Sequence, residues 1–169
     1  MNINEYQNYH ETKAHTSAEF PYNTYLCSIP LDFPGVPLHW HDELELVVIK
    51  RGQGFVSVDF DKRLVHSGDI IIIPPRCLHA IEQDDTFKME YENIIFKPDL
   101  LSSGANDLCM IQYIVPLLDG SLPIEYFLTP ALGSFKALSN CIRQIDLVCA
   151  DQTPGWQLAV KSSLFNFFF

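Results

Sequence analysis

The fold of this chain is decided by two stretches, HWHDELE (residues 39–45) and SGDIIIIPPRCLHAI (residues 67–81). His39 and His41 stand two residues apart in the first stretch. In an extended strand their side chains point to the same face, because side chains alternate with period two. The two imidazoles can therefore meet one ligand or one ion.

Glu45 has the same parity as the two histidines. Four strand residues cover roughly 13 Å, so the chain must bend between residues 42 and 44 before the Glu45 carboxylate can join the imidazoles. Glu43 is the easier alternative on geometry alone. The spacing therefore leaves two candidate carboxylates.

The composition limits the class of protein. Apolar residues make up 47% of the 169 residues, and the formal charge is −10. This length is enough for one domain with a hydrophobic core. A negative surface argues against nucleic-acid binding by this segment, because such binding normally needs a basic face.

The location is predicted from what the sequence lacks. The five cysteines are odd in number and form no C-x-x-C pair, so neither a disulfide framework nor a thiolate zinc site is indicated. The start of the chain does not have the pattern of a signal peptide, and no apolar run reaches the ~20 residues that cross a bilayer. We expect a cytoplasmic protein without a membrane partner.

Short β-strands joined by turns dominate the first half of the chain. Residues 1–20 are polar and aperiodic and predict a flexible lead-in, residues 30–37 predict an irregular loop, and Gly52-Gln53-Gly54 predicts a turn. Regular spacing of this kind indicates an antiparallel sandwich or barrel. The predicted strands are 22–29, 44–51, 55–60, 63–66, 70–73, 79–82 and 88–96.

Two amphipathic helices are predicted near the end of the chain, starting at Thr129-Pro130 and at Thr153-Pro154. Together they form an αα-hairpin. The first carries one apolar stripe and the second carries two, so the second helix needs two covers, the barrel and a partner subunit. The chain reaches Phe169 without a helix stop signal, and we expect it to continue. The stripes are Leu132, Phe135, Leu138, Ile142, Ile145 and Val148; Trp156, Val160, Leu164 and Phe167; and Leu158, Phe165 and Phe169.

The spacing His39-x-His41-x3-Glu45-x6-Gly52, followed by Gly68-x5-Pro74-x4-His79, resembles the two motifs of the cupin superfamily. The resemblance implies a mainly β fold, a double-stranded β-helix or jelly-roll barrel. It also implies that the tetrad of His39, His41, Glu45 and His79 could hold one divalent ion, Zn²⁺, Ni²⁺, Fe²⁺ or Mn²⁺. The alternative is that these side chains line a pocket for an organic effector without a metal.

Both motifs depart from the cupin pattern. In the second motif Arg76 stands where the pattern has glycine and Gln83 where it has asparagine, and in the first motif Gly35 lies nearer to His39 than the glycine usually does. These changes argue against strict enzyme-type geometry. Arg76 would add a cation and a bidentate donor at the barrel mouth, which suits a carboxylate, a phosphate or a hydroxyl-rich ligand.

The order of these features is similar to the N-terminal sensing and dimerising domain of AraC-type transcription regulators. The features are a histidine-rich strand, RGQG (residues 51–54), SGDIIIIPPRCLHAI and two helices. The resemblance implies an effector-binding cupin barrel over residues 21–98 and a helical region with a dimerisation hairpin over residues 99–169. It also implies a homodimer, and DNA binding through a C-terminal helix-turn-helix domain that this segment lacks. The implied ligand residues are His39, His41, Glu45, Arg76 and His79, and the implied dimer residues are Leu158, Leu164, Phe165, Phe167 and Phe168.

Two other functions remain open, a metal-dependent cupin enzyme of the isomerase or dioxygenase type, and a storage or carbohydrate-binding protein. The two-helix tail favours the regulator, so we expect no catalytic residues and no enzyme activity. A small effector, a sugar or a small acid, is expected in the barrel. Among the remaining residues, Trp40 is predicted to pack in the core, Cys77 to be a buried thiol, and His10, His15 and His66 to lie on the solvated surface.

Overall fold

The computed structural model of the protein describes residues 3–103 and 107–169, so residues 1–2 of the predicted lead-in and 104–106 of the predicted helical region lie outside it. The described chain is mainly β and ends in two helices, which confirms the predicted fold class. The elements in chain order are α1 (Ile3–Gln7), β1 (Tyr22–Ile29), β2 (Gly35–His39), β3 (Leu44–Val58), β4 (Asp61–His66), β5 (Ile70–Ile73), β6 (His79–Gln83), β7 (Met89–Phe96), a 3₁₀ helix (Pro98–Leu101), a π-helix (Met110–Ile114), α2 (Val115–Leu118), β8 (Phe127–Leu128), α3 (Phe135–Asp151) and α4 (Trp156–Phe168).

The strands form two antiparallel layers that share β3. The first part of β3 pairs with β7 and β5, and these strands continue to β1 and β8 on either side. The second part of β3 pairs with β4 and β6, and β6 also pairs with β2. One long strand therefore crosses from one layer to the other and joins them into a barrel.

The crossing point of β3 corrects the predicted turn at residues 52–54. The strand does not turn there; it bends, with a register shift between Ile49 and Arg51, and continues in the other layer. Gly52 has a φ of +78°, and a Cβ at this position would lie 1.9 Å from the carbonyl oxygen of Lys88. Only glycine fits here, because of both the left-handed backbone and the close approach. The glycines mark a bend within a strand, a pattern that sequence alone does not separate from a hairpin turn.

Alternation along the strands builds two separate cores. In β3, Leu44 and Leu46 face the helices, whereas Val47 and Ile49 face the inside of the barrel. The four isoleucines of β5 divide in the same way. A strand buried on both faces is apolar at every position, which explains the continuous run in the sequence. The layer of β1, β7, β3 and β5 therefore lies between the barrel interior and the helical region.

Both long helices begin later than predicted. The first begins at Phe135, not at Thr129, because hydrogen bonds from Leu132 to Thr129 and from Phe135 to Leu132 form two turns first. The second begins at Trp156, after Gly155 with a φ of +89°. Left-handed glycine interrupts a helix, so the Thr-Pro signals mark the turns and not the first helical residues.

The two stripes of α4 have different environments. Val160, Leu164 and Phe167 are buried in the core between barrel and helices. Leu158 is 73% exposed and Phe165 is 41% exposed. The first stripe is covered by the chain itself, and the second faces solvent.

Two segments that the sequence left irregular carry structure. The end of the predicted loop, residues 35–37, belongs to β2, which pairs with β6, and part of the lead-in forms the short helix α1. The β2 pairing requires β6, a distant strand, so local sequence gave no sign of it. All five cysteines are free, and among the helices of the described residues none is long and apolar enough to cross a membrane.

Candidate ligand and metal site in the barrel

A cavity of about 310 Å³ lies inside the barrel, between the β1–β7 layer and the β2–β6 layer. This volume is at the small end of the range for ligand pockets. Its walls combine four histidines, two carboxylates, one lysine and a group of apolar and weakly polar side chains. The lining residues are Glu11, Lys13, His15, Tyr25, Cys27, Phe33, Gly35, Val36, Pro37, His39, His41, Glu45, His79, Ile81, Tyr91, Asn93 and Ile95.

Three imidazoles meet in this cavity. His39 lies opposite His79 in the β2–β6 pairing, and His41 follows two residues after His39. One ring nitrogen from each of the three lies within 4.8 Å of the others. The tertiary fold thus brings together the three histidines that the motif spacing selected.

The orientation of the three rings follows from their backbone partners. Nδ1 of His39 lies 2.9 Å from the carbonyl oxygen of Pro37, Nδ1 of His41 lies 3.2 Å from that of Glu43, and Nδ1 of His79 lies 2.9 Å from that of Cys77. A carbonyl oxygen only accepts, so each Nδ1 carries a proton and donates it. In the neutral rings, each Nε2 then presents its lone pair. This is the arrangement of metal-binding histidines, whose second nitrogen is fixed by a hydrogen bond.

Glu45 supplies the carboxylate beside these imidazoles. The chain bends at residues 42–43, as the sequence required, and the Glu45 Oε2 atom lies 3.0 Å from Nε2 of His41 and 3.4 Å from Nε2 of His79. Glu43 lies on the other side of the His41 ring, with its Oε2 atom 3.7 Å from Nδ1. Glu45 and not Glu43 therefore belongs to the cluster.

Burial and hydrogen bonding set the charges of the cluster. Burial by itself would raise the pKa of Glu45, but the adjacent imidazoles of His41 and His79 outweigh burial and lower that pKa, so the carboxylate is ionised. Burial lowers the pKa of His39 to about 4, so its ring is neutral at pH 7. An ionised carboxylate beside an imidazole lone pair is repulsive unless a proton or a cation lies between them.

The donor set fits a divalent first-row ion. Imidazole nitrogens and a carboxylate oxygen suit Zn²⁺, Fe²⁺, Ni²⁺ and Mn²⁺, and Nε2 of His79 is buried without a hydrogen-bond partner in the part of the chain that the structure describes. His39, His41, His79 and Glu45 would hold the ion. A bound ion would supply a Lewis acid for ligand oxygens.

The residues before β1 form part of the cavity wall. The Glu11 Oε2 atom lies 2.8 Å from Nε2 of His15 and 3.5 Å from Nε2 of His39. His15 is only 10% exposed, and its ring centre lies 5.7 Å from that of His41. The prediction that His15 is a solvated surface residue is therefore wrong, because the chain before β1 folds back over the barrel. His10 and His66 are exposed, as predicted.

Trp40 fixes this segment to the barrel. Its ring stacks on Tyr6 with centroids 4.8 Å apart, and its Nε1–H donates to the Tyr6 carbonyl oxygen at 2.8 Å. The ring of His10 lies 4.2 Å from Trp40. Trp40 is 6% exposed, so the prediction that it packs is confirmed. Its packing partners come from the lead-in and could not be named from strand parity.

Arg76 does not join the histidines. Its Nε–H donates to Asp42 at 2.8 Å, and its side chain is 72% exposed outside the cavity lining. Its φ of +63° explains the glycine of the cupin pattern, since this backbone conformation favours glycine. Cys77 also stays outside the cluster, and burial raises the pKa of its thiol to about 11.

Sequence reasoning missed the wall formed by β1 and β7. Tyr25 and Cys27 of β1 lie opposite Asn93 and Tyr91 of β7 in the strand pairing, and all four line the cavity. Asparagine is depleted in strands, so Asn93 within the predicted strand 88–96 was a usable sign.

The two strand layers, the cavity between them and the helical hairpin define a β-barrel module with a helical appendage. The family model of the AraC-like ligand binding domain matches residues 23–168. The chain therefore belongs to the AraC-like ligand binding domain family.

Relatives and solved structures are similar to this chain to different extents. It is 32% identical over 159 residues to the uncharacterised HTH-type transcriptional regulator YdeC of Bacillus subtilis, covering 94% of this chain and 54% of that protein. It is 26% identical over 72 residues to a second such regulator of that organism, YbfI, covering 43% of this chain and 26% of that protein. The chain thus spans about half or less of the length of these relatives. A cupin protein from Bacteroides fragilis is 22% identical with a TM-score of 0.42, covering 62% of this chain and 80% of that one.

Proposed function

We propose that this chain is the effector-sensing and dimerisation part of a cytoplasmic AraC-family transcription regulator. A small polar molecule, a sugar or a small acid, binds in the barrel cavity and controls a helix-turn-helix domain outside this segment. The observation that carries the proposal is the cavity itself, which is lined by residues of the barrel and of the chain before β1. Family membership and the regulator names of YdeC and YbfI support it.

Communication between cavity and hairpin is the second part of the proposal. In β7, Tyr91 and Asn93 line the cavity, whereas Glu92 between them faces the opposite way. Glu92 pairs with Lys50 of β3 at 2.6 Å, and Lys50 pairs with Asp146 of α3 at 3.0 Å. A ligand that shifts β7 would therefore change the position of α3 against the barrel. The effector would act because it binds one of these two positions of β7 and α3 more tightly than the other.

Dimerisation uses the exposed stripe of the second helix in this proposal. Leu158 and Phe165 are exposed and offer apolar surface to a second copy. Leu164 and Phe167 are buried in the core of the chain and serve its own stability. The proposed dimer surface therefore excludes Leu164 and Phe167, two of the five residues that the sequence selected.

A transcription reporter tests the regulator function. Full-length protein, including any coding sequence beyond Phe169, is expressed with a reporter driven by its own upstream region. We expect a response that His41→Ala or Glu45→Gln alters and Glu19→Gln, an exposed control before β1, leaves unchanged. A reporter that does not respond to the protein would overturn the proposal.

A metal ion in the cavity is compatible with this function. The three Nε2 atoms and the Glu45 carboxylate support it. Metal analysis of protein purified without an affinity-tag column tests it. The metal proposal fails if no stoichiometric ion is found and added ions do not raise the melting temperature.

The second candidate function is a metal-dependent cupin enzyme of the isomerase or dioxygenase type. The convergent imidazoles favour it, since an ion held by them keeps open coordination positions. Turnover of sugar phosphates with added Fe²⁺ or Mn²⁺, lost in His79→Ala, would support the enzyme. No turnover under these conditions would leave the regulator as the function.

A further inference from the structure

Two polar side chains of β7 face the cavity with unused hydrogen-bonding capacity. Tyr91 is 1% exposed, and within residues 3–103 and 107–169 its hydroxyl has no hydrogen-bond partner other than the weakly polar thiol of Cys27 beside it. The Oδ1 atom of Asn93 is also buried and unpartnered. Buried polar atoms are nearly always hydrogen-bonded, so an unpaired pair on a cavity wall indicates a missing partner in the cavity.

The neighbouring tyrosine shows the contrast. The hydroxyl of Tyr25 accepts from Asn23 at 3.0 Å and donates to the carbonyl oxygen of His15 at 3.3 Å. The hydroxyl of Tyr25 is therefore satisfied by the protein itself. The hydroxyl of Tyr91 and the Oδ1 atom of Asn93 differ, because they remain available to a ligand in the cavity.

These two groups face the imidazoles across the cavity. Tyr91 and Asn93 belong to the β1–β7 layer, and His39 and His79 belong to the β2–β6 layer. Among the described residues that line this cavity, Nε2 of His79 and Nδ1 of His15 are also buried without a hydrogen-bond partner. A ligand with polar groups at both ends can reach Nε2 of His79 together with the polar atoms of Tyr91 and Asn93.

The charges of the wall select against an anion. The lining contains two carboxyl groups, those of Glu11 and Glu45, and Lys13 is the one lysine or arginine among the described lining residues. An acid entering this cavity without a bound cation meets net repulsion, while an uncharged molecule does not.

We propose that Tyr91 and Asn93 are ligand-binding residues and that the ligand is a small, uncharged molecule with several hydroxyl groups. This rests on the proposed effector function and chooses between its two ligand classes. A hydroxyl is both donor and acceptor, so it can donate to Asn93 Oδ1 and either donate to or accept from Tyr91. A site built on such groups rejects an analogue that leaves them unpaired.

The test uses matched sets of small probes that are similar in size and hydroxyl content and differ mainly in charge. Each set contains a neutral sugar, its aldonic acid and its amino sugar, such as glucose, gluconate and glucosamine, with pentose and hexose series. Binding to the protein as purified is screened by thermal shift and measured by calorimetry. We expect a neutral sugar to bind more tightly than its charged partners.

Two variants test the residues, with two exposed controls. Tyr91→Phe and Asn93→Ala should each weaken binding of the neutral sugar by about 10-fold or more. Tyr91→Phe should leave the unliganded protein as stable as before or more stable, because it removes an unpaired buried hydroxyl; a structural role would lower stability instead. Tyr113→Phe and Asn140→Ala, at exposed positions, should change neither the affinity for the neutral sugar nor the stability of the unliganded protein.

The outcomes separate the two levels of the proposal. Preferential binding of an aldonate or an amino sugar overturns the neutral ligand and leaves the effector function standing. A neutral sugar that binds equally well to Tyr91→Phe and Asn93→Ala overturns the residue assignment. If no member of any set binds, the ligand class is overturned, and the reporter response judges the effector function independently.

Discussion

The ammonium of Lys50 lies 3.0 Å from a carboxylate oxygen of Asp146, and this ion pair joins the barrel to the first helix of the hairpin. The same ammonium lies 2.6 Å from Glu92, which is nearly buried. Burial by itself would lower the pKa of Lys50, but the two carboxylates outweigh it and raise that pKa. One cation thus holds two carboxylates from different parts of the fold.

Replacing Lys50 should destabilise the protein. Lys50→Met leaves the buried Glu92 carboxylate without its cation, and we expect a loss of about 1–3 kcal/mol in the free energy of unfolding, measured with urea. Arg51→Met is the matched control, since its ion pair with Glu90 is 3.7 Å long and its side chain is 80% exposed. An exposed pair contributes about 1 kcal/mol or less. Equal losses in the two variants would contradict the buried linkage.

The buried carboxylate at position 92 should give a pH-dependent stability. Burial raises the pKa of Glu92 above its ordinary 4.5, despite Lys50. Between 4.5 and the raised value the folded protein binds more protons than the unfolded chain, so stability falls as pH rises through this window. The stability of wild type relative to Glu92→Gln should therefore decrease as pH rises from 4.5 towards neutrality. A difference that is constant with pH would argue against a raised pKa.

The two stripes of the last helix should respond differently to substitution. Leu164→Ala removes a fully buried side chain, and we expect a loss of about 2–5 kcal/mol in unfolding free energy. Leu158→Ala, at a position 73% exposed, should change it by about 0.5 kcal/mol or less.

Self-association should depend on the exposed stripe of the last helix and not on its buried stripe. Leu158→Asp and Phe165→Asp are expected to shift the protein towards monomer in analytical ultracentrifugation while it stays folded. A dimer that persists in both variants would place the interface elsewhere.

Added Zn²⁺ should stabilise the protein through the three imidazoles. At a free concentration of about 100 times the dissociation constant, the gain is about 2.7 kcal/mol. The gain should disappear in His79→Ala and persist in His66→Ala, which changes an exposed histidine outside the cluster. Stabilisation that survives in His79→Ala would mean that the ion binds at another place.

The stacking of Tyr6 on Trp40 should hold the chain before β1 in place. Tyr6→Ala removes an aromatic pair that contributes about 0.5–1.5 kcal/mol. Faster proteolytic cleavage before residue 20 is expected, with the barrel intact. Tyr9→Ala is the control, because Tyr9 contacts Trp40 through its backbone carbonyl. Equal cleavage of wild type and Tyr6→Ala would show that the stack does not anchor the segment.

Local pattern was sufficient where the physical cause is local. The i, i+2 spacing of His39 and His41 put both rings on one face, and the parity argument required the bend that brings Glu45 to His41. The four isoleucines of β5 were recognised as a strand because both of its faces are covered. These features depend on the period of the strand and need no knowledge of distant partners.

Local pattern failed where a distant segment decides. His15 was assigned to the surface, but the chain before β1 returns across the barrel and places it beside His41. Arg76 was assigned to the cavity mouth, but its left-handed backbone carries the side chain to Asp42. Gly52 predicted a turn, whereas β3 continues because its second half pairs with β4 and β6.

The sequence by itself determined most strands of the barrel and the two final helices, the histidine–glutamate cluster and the resemblance to the family, since each rests on residue type and spacing along the chain. The tertiary structure alone decided which wall faces the imidazoles, how Lys50 links barrel and hairpin, and which apolar stripe of the last helix stays exposed. Periodicity fixes the face on which a side chain lies. Which other segment covers that face depends on long-range pairing, which is settled only by packing of the whole chain.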